Sequence, residues 1–204
     1  MGGLTGISGL GGLGALVRTG IYGAYLIFDT FTDADGTSIP SHTPDKDQGN
    51  AWIEQQGIVW DIYGNKLDDT GTGDGSDLCS IDCGSTGHST EVILNGLGNN
   101  GPGVLVRFAT TTSHWLCQVN FSSNAFQLYE NGGSYSLKAT WATGNIDSNT
   151  DYVVKVTIAD DDVFHGELDG VEKGTHTSSG KAGNTSGGLR ATPPNYDDFN
   201  MAAA

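Results

Sequence analysis

Short runs in which apolar and polar residues alternate recur along most of this chain, beginning near Ile21. Alternation of this kind gives a β-strand one apolar face. In the clearest run, Val104, Val106 and Phe108 are predicted to share the buried face, with Leu105 on the other. Similar runs occupy residues 115–121, 135–141 and 152–158. The pattern therefore predicts many strands, each with one side in a core.

Turn-forming residues separate these runs at spacings of roughly ten residues. Asp169-Gly170 and Gly64-Asn65 are examples, because glycine and asparagine supply the positive φ that a tight hairpin requires. No stretch of useful length has the period of about 3.6 residues that is typical of an amphipathic helix. The predicted fold class is therefore all-β, an antiparallel β-sandwich over residues 21–204.

Residues 1–20 differ from the rest because glycine interrupts every apolar run. Such a segment forms no stable isolated helix, since each glycine costs about 1 kcal/mol relative to alanine. Its apolar residues nevertheless recur at every third position: Leu4, Ile7, Leu10, Leu13 and Leu16. The segment is either a flexible leader or an arm that becomes ordered when its leucines are buried against other subunits. We favour the assembly arm, followed by a sandwich domain over 21–204.

The chain is strongly acidic, with 9 Lys and Arg against 24 Asp and Glu and a formal net charge of -15. Nucleic acid and anionic lipid surfaces would repel it, so neither is a predicted partner. No apolar run reaches the roughly 18 residues needed to span a bilayer. The start of the chain lacks the charged end and unbroken apolar centre of a secretory signal, so we expect no export by the usual route.

Several short motifs follow one another in a definite order, at residues 29–31, 103–108, 126–129, 168–171 and 197–199. Together they resemble concanavalin A-like lectin/glucanase jelly rolls, of the laminin-G-like kind found in many bacterial and phage proteins. The likeness runs from about residue 25 to residue 201 and implies a jelly-roll sandwich. It does not fix the function, because that family includes lectins, glycosidases, adhesion modules and virion parts.

One motif resembles the catalytic strand of jelly-roll glucanases, in which two glutamates around an aspartate act as nucleophile and general acid. Here the residues are Glu167, Asp169 and Glu172. On an uninterrupted strand the two glutamates would face opposite sides, because they are five positions apart. Asp169-Gly170 is also predicted to be a hairpin turn. Since common nucleophile and zinc-protease motifs are missing as well, we predict that the chain is not an enzyme.

Two groups of acidic residues are candidate ligands for a structural Ca²⁺ ion, which takes oxygen ligands from flexible loops. The first group lies in a Gly-, Thr- and Ser-rich loop and comprises Asp68, Asp69, Asp74 and Asp77, together with Asp82. The second comprises Asp29, Asp33, Asp35, Asp197 and Asp198. We expect the second group to meet where the first and last strands pair. For each group the alternative is a solvated acidic surface, and no other cofactor is predicted.

Aromatic rings on the surface, beside amide and carboxylate groups, are candidates for stacking on a sugar. Alternation places Trp115 and Trp141 on apolar faces, whereas Tyr63 and Tyr129 lie on the opposite faces. We therefore predict Tyr63 and Tyr129, together with Trp52, as the glycan-binding candidates.

The three cysteines are odd in number, so a fully paired disulfide framework within one chain is excluded. Cys79 and Cys83 are close enough in sequence to pair, whereas Cys117 lies within a strand pattern. We favour free thiols over a disulfide, and a zinc site would want a fourth soft ligand and a tighter cysteine pair.

Three classes of function remain: a glycosidase, a secreted lectin or adhesion module, and a structural or attachment protein of a virus particle. The spacing of the glutamates disfavours the first, and the missing export signal weakens the second. Virion proteins leave the cell by lysis and need no signal peptide. We therefore predict a non-enzymatic capsid decoration or attachment protein on the virion surface of a tailed bacteriophage, bound to other virion proteins and oligomerised through its arm. The alternative is a carbohydrate-binding adhesion module, extracellular or at a cell surface.

Overall fold

The computed structural model describes residues 25–56, 60–69, 77–94, 101–159, 161–191 and 195–204. The predicted assembly arm, residues 1–20 with Leu4, Ile7, Leu10, Leu13 and Leu16, lies outside the described residues, and so does Asp74. Within the described ranges the chain forms β-strands and a short 3-10 helix, Ile39–Ser41. These ranges contain no helix that is long and apolar enough to cross a bilayer.

One of the two sheets contains nine described strands, all paired in antiparallel fashion. They are β1 (Tyr25–Asp29), β2 (Thr37–Ser38), β4 (Trp60–Ile62), β5 (Leu67–Asp69), β7 (His88–Leu94), β12 (Tyr152–Ile158), β13 (Val163–Leu168), β14 (Val171–Thr177) and β16 (Tyr196–Ala203). Their order is β14-β13-β12-β7-β16-β5-β4-β2, and β1 pairs with β16. The first and last strands of the described sandwich are therefore neighbours, as the sequence predicts.

The other sheet contains seven described strands, which are also antiparallel. They are β3 (Ile53–Gln56), β6 (Asp77–Asp82), β8 (Gly103–Thr110), β9 (Ser113–Asn120), β10 (Ala125–Gly132), β11 (Tyr135–Ala142) and β15 (Ser186–Ala191). Their order is β11-β10-β9-β8-β15-β6-β3. The two sheets pack face to face, which confirms the predicted antiparallel β-sandwich.

The core fills the space between the sheets with alternate residues of each strand. Trp115 of the seven-stranded sheet packs on Phe164 of the nine-stranded sheet, with ring centroids 4.6 Å apart. Both side chains are fully buried, as the alternation predicts for Trp115. Burial of each large apolar side chain stabilises the fold by about 1.5–3 kcal/mol. The aromatic residues of the core therefore contribute a large part of the attraction between the sheets.

Two glycines allow one tryptophan to cross between the sheets. Trp141 of β11 lies against Gly166 and Gly174 in β13 and β14. A Cβ atom on either glycine would lie 2.3 Å from a ring atom of Trp141. The close approach of β11 to this part of the nine-stranded sheet therefore requires glycine at both positions.

The predicted hairpin at Asp169-Gly170 is confirmed. It joins β13 to β14, and both turn residues have positive φ, 53° and 71°, as in a type I′ turn. The hairpin register sets Glu167 directly opposite Glu172, so these side chains share one face of the sheet. On an uninterrupted strand the two glutamates would lie on opposite faces, but the turn reverses the strand between them and brings them onto the same face.

The three cysteines are all free and buried. Cys79 and Cys117 lie in one cross-strand row, separated by Leu189 and Val104 on the two strands between them. Adjacent strands are about 4.8 Å apart, so that row keeps the two sulfurs well beyond bonding distance. Cys83 instead donates its thiol hydrogen to the carbonyl oxygen of Thr185, at 3.0 Å. The prediction of free thiols is therefore confirmed.

Candidate functional site

A β-bulge in β8 decides which side chains reach the outer face of the seven-stranded sheet, meaning the face that points away from the core. Arg107 has a φ of 46°, and the pairing of β8 with β9 shifts between Val106 and Thr110. Val104 and Val106 point into the core, but Phe108 lies in a separate apolar cluster on the outer face. The prediction that Phe108 shares the face of the two valines is therefore wrong, because the bulge reverses the alternation.

The bulge also turns the Arg107 side chain inward, where it is only 3% exposed. Its Nη2 atom lies 2.5 Å from Oδ1 of Asp162, and its Nη1 atom donates to the carbonyl oxygen of Ser178 at 3.1 Å. The guanidinium carbon lies 5.5 Å from the ring centre of Phe164. These contacts hold the bulge in place, and through it they hold Phe108 on the outer face.

An apolar cluster occupies the middle of the outer face, and Tyr129 packs against it. Its members are Leu78, Leu105, Phe108 and Leu116. The cluster extends across neighbouring strands, because Leu105 pairs with Leu116 and Leu116 pairs with Tyr129. The cluster is therefore a second, small apolar core on the side that points away from the main core, and its four members are buried.

His114 connects Phe108 to the margin of the outer face. The rings of His114 and Phe108 are stacked with centroids 5.3 Å apart. His114 Nδ1 donates to the carbonyl oxygen of Thr110 at 3.0 Å, and its Nε2 accepts from the hydroxyl of Tyr135 at 2.9 Å. Burial lowers the pKa of His114, and the positive charges of nearby Lys and Arg side chains lower it further. The imidazole is therefore neutral at pH 7, and its tautomer is set by its two partners.

A network of amides lies beside this aromatic group. Oε1 of Gln127 accepts hydrogen bonds from Gln118 at 3.3 Å, from Asn120 at 3.2 Å and from the Tyr129 hydroxyl at 3.1 Å. Arg190 Nη1 donates to Oε1 of Gln118 at 2.8 Å. Side chains that hold one another in this way keep fixed positions, so the face is preorganised.

The outer face also contains a cleft, of about 380 Å³, beside Phe108. It is lined by Asn50, Ala51, Ile53, Gln55, Ser80, Asp82, Phe108, Ala109 and Ser186. Ile53, which is 55% exposed, supplies the apolar surface, whereas Phe108 lines the cleft but is only 4% exposed. Polar atoms of Asn50, Gln55 and Asp82 surround that surface. An apolar floor with a few fixed polar groups, at this volume, is typical of sites for small polar ligands such as sugars.

The amides of the cleft are themselves held by hydrogen bonds. Asn50 donates through Nδ2 to the carbonyl oxygen of Asp82 at 3.0 Å. Gln55 donates through Nε2 to the Ser80 hydroxyl at 2.9 Å. The first contact joins the segment before β3 to the end of β6, so it fixes the width of the cleft on that side.

The three predicted glycan-binding residues do not come together. Tyr129 lies on the outer face, and Tyr63 is exposed at the β4–β5 turn of the nine-stranded sheet. Trp52 is only 2% exposed, and its indole nitrogen donates to Oδ2 of Asp29 at 2.7 Å. The prediction for Trp52 is therefore wrong, because its ring is packed in the core. Its neighbour in sequence, Ile53, presents the exposed apolar surface instead.

Asp29, the first member of the second predicted calcium group, is fully buried. Its Oδ1 accepts from the amide of Phe31 at 2.7 Å and from His42 Nε2 at 2.8 Å, while its Oδ2 accepts from Trp52. Both oxygens are thus already bound by protein donors. A cation at Asp29 would have to displace these hydrogen bonds, so the contacts of this residue are those of a structural carboxylate.

Burial by itself would lower the pKa of His42, but hydrogen bonds and charges from Asp29 and Asp33 outweigh it. The pKa of His42 is therefore raised above its usual value. The second carboxylate is more distant, with Asp33 Oδ2 3.4 Å from His42 Nδ1. Asp29, His42 and Trp52 thus form a buried polar cluster behind the wall of the cleft that contains Ile53.

Asp35 and Asp77, two other predicted calcium ligands, lie in different parts of the fold. Asp35 Oδ1 accepts from the amide of Gly64 at 2.8 Å, and Asp77 is buried in β6. The described residues contain no group of three or more His, Cys, Asp or Glu side chains arranged to hold a metal. Asp74 and the side chain of Asp69 lie outside the described part of the structure. Calcium binding by either predicted group stays a prediction.

Comparison with known proteins finds no family model that matches the chain, and no curated protein that matches it. Solved structures do match. A mutant of the GH43 protein BlXynB from Bacillus licheniformis aligns over 87% of this chain and 39% of its own, with a TM-score of 0.59 and 15% identity. A protein of unknown function with a galectin-like fold from Bacillus subtilis aligns over 83% and 97%, with a TM-score of 0.53 and 13% identity.

A third structure is the carbohydrate recognition domain of Emp47p. It aligns over 85% of this chain and 99% of its own, with a TM-score of 0.50 and 11% identity. The chain has a lectin-like jelly-roll fold. At these identities the likeness establishes the fold, and function has to be argued from the cleft and its residues.

Proposed function

We propose that this chain is a non-catalytic glycan-binding domain whose sugar ligand lies in the cleft on the outer face. The observation that carries the proposal is the composition of the cleft. Ile53 provides an apolar surface for the C–H face of a sugar ring, and Asn50, Gln55 and Asp82 provide polar atoms for its hydroxyls. The fold is one that the carbohydrate recognition domain of Emp47p shares, which supports the same assignment.

The binding test uses two variants that are matched in exposure. Ile53 and Val171 are both 55% exposed, but Ile53 lines the cleft and Val171 begins β14 of the other sheet. We expect Ile53→Ser to weaken binding to an immobilised glycan by severalfold to about tenfold, since it removes apolar contact that is worth about 25 cal/mol for each Å² buried. Val171→Ser should bind as the wild type does.

The assay is a glycan array with bacterial cell-surface polysaccharides and plant glycans, followed by calorimetry on the ligands found. Equal loss in both variants, or unchanged binding by Ile53→Ser, would contradict the assignment of the cleft. Absence of binding to every glycan would contradict the proposed function itself.

The absence of catalysis is part of the proposal. Glu167 and Glu172 share a face, but each has a basic partner: Lys155 Nζ lies 3.6 Å from Glu167, and His165 Nδ1 lies 2.8 Å from Glu172. Neither glutamate lines the cleft. We expect no hydrolysis of β-glucans, galactans or peptidoglycan by the purified chain. Turnover that disappears in Glu167→Gln or Glu172→Gln would establish a glycosidase instead.

For the biological setting we propose a virion surface, where the sandwich serves as a decoration or attachment protein of a tailed bacteriophage. The acidic body and the regularly spaced leucines of residues 1–20 support a displayed domain with an assembly arm. Mass spectrometry of purified particles tests the location. Deletion of residues 1–20 should leave the sandwich folded and abolish oligomerisation or incorporation. Secretion of the intact chain without particles would favour an extracellular adhesion module.

A further inference from the structure

Asp82 gives the cleft its charge. Among the described residues that line the cleft, Asp82 is the single charged side chain, and no Lys or Arg accompanies it. Its side chain is exposed at the end of β6, where Oδ1 accepts from the amide of Gly84 at 2.9 Å. The turn therefore holds the carboxylate at the rim. No Lys or Arg among the described lining residues balances its charge.

The neighbouring amides add to this polarity. Asn50 and Gln55 each use their amide nitrogen to bind a protein acceptor, at 3.0 Å and 2.9 Å. Arg190, a cation of the same face, instead binds Gln118 and is absent from the lining of the cleft. Each amide nitrogen carries a second N–H, so the amides can both donate and accept, and Asp82 alone gives the described lining a net charge. A ligand that donates hydrogen bonds fits such a rim, whereas a carboxylate or sulfate group meets a like charge.

We infer that the cleft selects glycans without acidic groups, and that Asp82 is the residue responsible. The inference rests on the proposed function and names its ligand class: neutral, hydroxyl-rich sugars. The Asp82 carboxylate accepts hydrogen bonds from ring hydroxyls and repels uronic, sialic and sulfated sugars. A like charge within about 5 Å at a partly exposed site weakens binding by about tenfold.

The experiment measures each probe polysaccharide in two forms. Hyaluronan, polygalacturonate and sialyl-oligosaccharides are each compared with a copy whose carboxyl groups have been reduced to alcohols. Neutral glucans and galactans serve as further probes. For the wild-type chain we expect each neutral form that binds to bind at least about tenfold more tightly than its acidic form at low salt. The difference should shrink as ionic strength rises, because salt screens the repulsion.

Asp82→Asn and Asp147→Asn form the matched pair of variants. Both aspartates are exposed, and each accepts from the backbone amide two residues later, at 2.9 Å in both cases. Each substitution also changes the net charge by one. Asp82→Asn should bind the acidic forms more tightly than the wild type does and the neutral forms less tightly, because an amide accepts hydrogen bonds more weakly than a carboxylate, so most of the discrimination between the two forms should disappear. Asp147→Asn should discriminate as the wild type does.

The outcomes separate the two proposals. Binding of acidic and reduced forms with equal affinity by the wild type would overturn the selectivity while the proposed function stands. Equal loss of discrimination in both variants would assign the effect to the overall charge and overturn the role of Asp82. Absence of binding to any neutral glycan would overturn the proposed function and this inference with it.

Discussion

Asp29→Asn tests whether the buried carboxylate beneath the cleft is structural. The carboxylate accepts three hydrogen bonds, from the amide of Phe31, from His42 and from Trp52. Asparagine retains one acceptor oxygen, so its NH₂ group would face at least one of these donors. A buried donor left without an acceptor costs about 1–3 kcal/mol, and the remaining bonds lose the strength that the negative charge gives them. We expect a loss of about 3 kcal/mol in the free energy of unfolding.

The assay is urea unfolding followed by tryptophan fluorescence, in millimolar Ca²⁺ and in chelator. Asp147→Asn is the control, because its exposed turn cap can be replaced by asparagine with little effect. The loss for Asp29→Asn should be the same in both buffers. A variant that is as stable as the wild type in chelator, and less stable only in Ca²⁺, would contradict the structural role of Asp29 and make it a metal ligand.

Three further predictions concern stability and reactivity. Gly174→Ala should destabilise the fold by about 1–3 kcal/mol, because its Cβ would overlap Trp141, whereas Gly132→Ala, with open space around it, should be neutral in the same denaturation assay. His42 has a raised pKa, so its protonation stabilises the fold fully below pH about 6.5 and the benefit is lost as pH rises through the raised pKa. The difference in unfolding free energy between the wild type and His42→Gln should therefore shrink from pH 6 to pH 9; a constant difference would contradict the linkage. Burial raises the pKa of all three thiols, that of Cys83 to about 11, so a thiol reagent should label them at pH 7.5 only after denaturant is added.

The strand pattern of the chain could be predicted because it depends on local alternation and turn residues. The hairpin at Asp169-Gly170 illustrates this, since glycine and aspartate tolerate the positive φ of its turn. The outer face could not be predicted, because it depends on the bulge at Arg107. Arginine is not a residue that marks positive φ, and the contact that stabilises it comes from Asp162, distant in the sequence.

The cleft could not be predicted from the sequence for a related reason. Aromatic residues and clustered carboxylates are the visible signals of binding in a sequence, and they indicate Trp52 as a glycan contact and Asp29 as a calcium ligand. In the structure these two bind each other in the interior. The cleft is formed instead by Ile53 and Asp82, which meet because β3 pairs with β6. That pairing joins two separate segments of the chain. Ile53 carries no sequence signal for binding, and Asp82 carries one only as a member of an acidic group.

The pairing of β1 with β16 has a mechanical consequence. Four residue pairs connect the two strands, from Tyr25 with Ala202 to Asp29 with Phe199, and Phe28 also exchanges two backbone hydrogen bonds with Lys46 on its other side. A protein held by the residues before Tyr25 and pulled through a ligand on the opposite sheet would transmit the force along β1. A force along the strand loads the hydrogen bonds of β1 at the same time, whereas a force across the strand would break them one after another. An adhesive domain tethered in this way would withstand shear flow through its first strand.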